Sequence, residues 1–68
     1  MVKPSEEIIR EFTKLSWANR SVIKEIAVQA LLDKGEHYPT TQHINNSIVS
    51  LYNSCGSFDV AIESAWDG

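Results

Sequence analysis

Residues Ser21 to Gly35 read SVIKEIAVQALLDKG, the longest apolar-periodic run in the chain. Ile23, Ile26, Ala27, Ala30 and Leu31 recur at helical spacing and share one side of a helical wheel, which Val22 extends. Ala, Leu, Gln, Lys and Glu are good helix formers, and neither Gly nor Pro interrupts the run before Gly35. Gly35 is placed to be the left-handed residue that stops the helix, with Lys34 suiting the negative end of its dipole. Val28 and Leu32 lie four apart and stack on roughly the opposite side. A helix that is apolar nearly all round is usually buried. The run is therefore expected to be a central helix covered on both sides. The competing expectation is that Val28 and Leu32 form an exposed dimer or partner patch.

On the N-terminal side, Ile8, Ile9, Phe12 and Leu15 form a narrower stripe. Ser5 is the expected N-cap, with Glu6 and Glu7 in the first turn where the dipole favours acids. Glu6–Arg10 and Glu11–Lys14 are spaced for acid-first ion pairs. The stripe continues through Asn19, Val22 and Ile26 in steps of three and four, so residues 6–34 could form one long helix. A break is preferred, because Asn19 is a good N-cap and Ala18 and Ile23 then occupy the staple positions.

On the C-terminal side, Pro39 forces Tyr38 into extended backbone, and Thr40 or Thr41 caps a third helix. Ile44, Ile48 and Leu51 define its inner side, with Tyr52 beside them. The β-formers of 48–52 make a strand the competing assignment there. Gly56 ends that helix, Ser57 caps the next, and Phe58, Ala61, Ile62, Ala65 and Trp66 make its stripe. The expected fold is all-α: one compact domain of four short helices, at about 6–16, 20–34, 41–52 and 58–66.

Length and composition narrow the function. A chain of 68 residues buries a modest core and gains from oligomerisation or a partner. Opening on Met1, it is read as a complete small protein. The single cysteine, Cys55, excludes an internal disulfide and points to a reducing, cytoplasmic setting. No segment has signal-peptide character or the length to span a bilayer. Net charge is −3, and all six cations (Lys3, Arg10, Lys14, Arg20, Lys24, Lys34) precede Gly35. Beyond it the charged residues are the acids Glu36, Asp59, Glu63 and Asp67.

From His37 to Phe58 there is no Asp, Glu, Lys or Arg. The polar residues are hydroxyls and amides, among them Gln42, Asn45 and Asn46. Burying neutral polar groups costs less than burying ions, so such a face suits desolvation by a partner. His37 and His43 are six apart and lack a third metal ligand at a recognisable spacing; only Glu36 and Cys55 could be added. Cys55 with a histidine would be a thiol–imidazole pair without an orienting group. No metal, cofactor or catalytic set is expected, and the protein is read as a non-enzyme. Trp17 lies off the stripe of its helix and is a candidate exposed anchor, whereas Trp66 is expected in the core.

Leu31-Leu32-Asp33-Lys34-Gly35 and Cys55-Gly56-Ser57-Phe58-Asp59-Val60-Ala61-Ile62-Glu63 are loosely similar to the end of the first helix and the start of the third in ubiquitin-associated three-helix domains. The resemblance implies a ubiquitin-binding surface on the first loop and last helix. Here Gly35 is followed by Glu36-His37-Tyr38-Pro39 rather than the family's hydrophobic residue, and no Met precedes it.

The sequence thus points to an acidic adaptor or inhibitor docking on a protein with a basic surface, without membrane association and with homodimerisation expected. The binding residues expected are Glu36, Gln42, Asn45, Asn46, Tyr52, Asp59 and Glu63, with Trp17, Val28 and Leu32 as a dimer or partner patch. The alternative is a dimeric helix-turn-helix regulator using Arg20, Lys24, Gln42 and Asn45. Gln and Asn read adenine edges, but a recognition helix without a cation lacks the phosphate contacts that supply affinity.

Overall fold

The chain forms α1 (Ser5–Thr13), α2 (Trp17–Asp33), α3 (Thr41–Cys55) and α4 (Phe58–Asp67). The computed structural model describes residues 3–67, and side chains through residue 66. The described residues contain no strand, and 48–52 is helical.

Each boundary has a local cause. α1 starts on Pro4, whose carbonyl accepts from Glu7 N (3.1 Å) and Ile8 N (3.2 Å). Ser5 is thus the first helical residue and not the cap. The break before α2 falls at Lys14–Ser16, ahead of the expected joint. Ser16 is the cap, its Oγ accepting from Asn19 N at 3.3 Å. Asn19 therefore sits in the first turn as the donor, because the hydroxyl of Ser16 reaches its backbone first. At the other end of α2, Gly35 N donates to Leu32 O and Glu36 N to Leu31 O, both at 3.0 Å, with Gly35 at φ +97°. This paired closure needs the left-handed conformation that glycine adopts freely. Thr40 caps α3 by accepting from His43 N, and Ser57 caps α4 by accepting from Val60 N. Between α3 and α4, Gly56 (φ +88°) donates to Tyr52 O at 2.7 Å.

The hub is α3, not α2. α3 packs on each of the other three helices, while the main contacts of α2 are with α3 and α4. Ile8, Ile23, Ala27 and Ile48 are essentially sealed from solvent and meet Tyr52, Phe58, Ala61 and Ile62 in one core. A fully buried side chain of this size is worth about 1.5–3 kcal/mol. Phe58 closes the core edge-on to Tyr52 (centroids 4.8 Å apart) and to Phe12 (5.9 Å). Ser47 Oγ donates to Ala27 O at 2.9 Å, tying α3 to α2.

Three expectations change. Only the Ile23–Ala27–Leu31 side of α2 is buried; Val28 is half-buried and Leu32 is 37% exposed. Three short companions cannot cover two sides of a 17-residue helix. Trp66 is 71% exposed and so is not core. The spaced ion pairs of α1 also do not form. Glu11 instead meets Lys3 at 3.0 Å, and Lys3 Nζ lies 5.5 Å from the centre of the Tyr52 ring.

Candidate functional site

The residues expected to bind a partner do not converge. Glu36 follows α2 and places Oε2 3.6 Å from His43 Nδ1, at the start of α3. Asp59 begins α4 beyond the far end of α3, a helix about 22 Å long. Asp59 shares its cleft with Lys14 and Glu11. Gln42 and Asn46 are exposed on α3, while Asn45 is half-buried over the cleft between α1 and α3. Glu63 is exposed on α4. Tyr52 is 9% exposed and belongs to the core. Its position faces the same way as Ile48 one turn earlier, and its ring packs on Phe58.

The chemistry considered for the histidines and cysteine meets a simple distance limit. His43 and Cys55 lie on one helix, twelve residues and about 18 Å apart. They can form neither a thiol–imidazole pair nor a shared metal site. Among the described residues no three His, Cys, Asp or Glu side chains come together as ligands. Among the described residues, the groups with displaced protonation are Lys3 and Glu11. The Tyr52 hydroxyl, then Glu11, hold the Lys3 ammonium above its usual value, and Lys3 holds the Glu11 carboxylate below its own. This cluster secures the chain before α1 to α3. Arg20 is half-buried, with its Nε enclosed and without a hydrogen-bond partner.

A cavity lies between α2 and α4. Val22, Ile26 and Ala30 form its floor on one side, and Ala65 and Trp66 on the other. Glu25, Gln29 and Asp33 make its rim, with Gln29 Nε2 donating to Asp33 Oδ1 at 3.3 Å. The cavity is about 630 Å³ and open to solvent along its length. Its charge distinguishes it. Among the described residues, Glu25 and Asp33 are its only charged lining residues, whereas four smaller clefts each include a cation, respectively Lys24, Lys14, Arg10 and Lys34.

Sequence reasoning counted these apolar residues as core. A signal was present: Val22-Ile26-Ala30 and Glu25-Gln29-Asp33 are adjacent ridges of period four, one apolar and one acidic or amide. Trp17, 77% exposed, projects from the first turn of α2.

The chain matches no protein-family model, no curated protein and no solved structure. The similarity to ubiquitin-associated domains finds no counterpart in these comparisons. No helix among the described residues is long and apolar enough to cross a membrane.

Proposed function

We propose that this chain is a non-enzymatic docking module that holds a cationic amphipathic helix of a partner protein in the groove between α2 and α4. The observation that carries this reading is the pairing of an uncovered apolar floor with a rim whose only charges, among the described residues, are acidic. Helix-in-groove recognition uses such a floor for the apolar face of the ligand and the rim for its flanks. Trp66 is the anchor. A large, mostly exposed indole beside an apolar trough gains most when a partner desolvates it. The openness of the trough and the lack of converging buried polar groups disfavour a small-molecule ligand, which needs enclosure and fixed polar partners. The uncharged face of α3, with Gln42 and Asn46, supplies a second surface that a larger partner can desolvate at low cost. An adaptor and an inhibitor share this geometry.

The test is an NMR titration with two model helices of identical apolar pattern, one carrying lysines and the other glutamates. The lysine helix should shift Val22, Ile26, Ala30 and the Trp66 indole, and Asp33→Asn should weaken it by up to about fivefold, as loss of one exposed charge pair does. Trp66→Ala should abolish the shifts. Equal binding of both helices, or shifts confined to another face, would overturn the reading.

A further inference from the structure

α2 has three sides. α3 covers the one around Ala27 and Leu31, where Ser47 bonds to Ala27 O. α4 flanks the one around Val22 and Ile26. The third carries Trp17, Ser21, Lys24, Glu25, Val28 and Leu32, which fall on one stripe at helical spacing. Trp17 and Leu32 are exposed, Val28 is half-buried, and the three polar residues between them are exposed.

This stripe is complementary to itself when reversed. Place a second copy of α2 antiparallel across it, with a two-fold axis between Lys24 and Glu25. Each residue then faces the one equally far from the axis. Trp17 meets the partner's Leu32, giving one apolar contact at each end. Ser21 meets the partner's Val28, small against branched. Lys24 meets the partner's Glu25, twice by symmetry. The antiparallel arrangement also sets the two helix dipoles head to tail. A parallel pairing in the same register would instead oppose Lys24 to Lys24 and Glu25 to Glu25. A closed two-fold contact of this kind is the commonest form of self-association.

We infer that the third side of α2 is a self-association surface, and that its occupant is a second copy of this chain in antiparallel register. The groove is a separate surface: the stripe carries both signs of charge, whereas the described groove lining carries one. Only Glu25 stands at the border of both. The seam spans one short helix, so the dimer is weak, with Kd on the order of 10–100 µM.

Sedimentation equilibrium of the full chain up to about 1 mM tests this, a range set to bracket that affinity. The wild type should dimerise. Trp17→Ala should weaken the dimer at least tenfold while leaving the far-UV spectrum and melting curve in place, since Trp17 is mostly exposed. Val28→Asp should do the same, and Trp17→Ala carries the test if that variant unfolds. The register is tested by charge exchange. Lys24→Glu and Glu25→Lys alone should each weaken association severalfold, and the double variant should restore it within about twofold. A wild type monomeric at 1 mM overturns the inference, and so does a double variant no better than the singles.

Discussion

The two halves of α4 carry one apolar stripe and meet opposite fates. Phe58, Ala61 and Ile62 are buried in the core they share with residues of α1, α2 and α3. Ala65 and Trp66 continue the same stripe and are exposed. The helix does not change character between Ile62 and Ala65; the cover does. The rest of the bundle reaches the first half, and only the Val22–Ala30 ridge of α2 lies beside the second. A stripe marks the side of a helix that avoids water, not how much protein is available to cover it. In a chain this short the uncovered remainder is where a partner can gain binding energy.

The most forceful way to break this comparison is to truncate an aromatic in each half. Phe58→Ala should cost about 3–5 kcal/mol, enough to leave a small domain largely unfolded at room temperature. Trp66→Ala should change stability by no more than about 0.5 kcal/mol while removing binding to a cationic helix. Urea unfolding of both variants reads the contrast directly. Equal costs would mean that Trp66 is covered in solution and the groove is closed.

A smaller effect is expected at the turn that leads from α3 into α4. Gly56 holds φ +88°, and a Cβ there would meet nothing within 4 Å. Gly56→Ala should therefore lose only the conformational term, about 1–2 kcal/mol, with the groove still able to bind. A loss of binding larger than the loss of stability would show that the turn also sets the angle of α4. The smallest effect is electrostatic. Glu11 is held below its ordinary value by Lys3, so its contribution is present above about pH 4.5 and fades as pH falls through the lowered value. Lys3 is held above its ordinary value, so its share is complete below about pH 10.5 and fades only in stronger base. Both are intact at neutral pH. Both side chains are well exposed, so the acid-side change is small. Urea midpoints between about pH 5 and pH 3 should fall less steeply for Glu11→Gln than for the wild type. Parallel curves would remove the pair from any role in holding the residues before α1 on α3.

Surface exposure was legible in fragments. Trp17, Gln42 and Asn46 were expected at the surface from residue type and wheel position, and the structure leaves all three exposed. Tyr52 was misassigned to the surface because a tyrosine at the edge of a stripe serves equally as core or anchor. The packing of Phe58 against its ring decided between them. The groove was invisible for a related reason. Val22, Ile26 and Ala30 look like core in any helical projection, and only the position of α4 shows that their cover stops short.

Local chemistry in the sequence determined the four helices, the left-handed glycines that stop α2 and α3, the threonine and serine caps of α3 and α4, and the apolar stripe of each helix. Each depends on neighbours within a turn or two of the chain. Tertiary structure alone decided that α3 is the hub, that α2 is covered on one side, that Lys3 and not Lys14 pairs with Glu11, and that Trp66 stands out from the bundle. These outcomes depend on how far each helix extends past its neighbours. That is set by the angles at which the helices cross, and periodicity along a single helix carries no record of them.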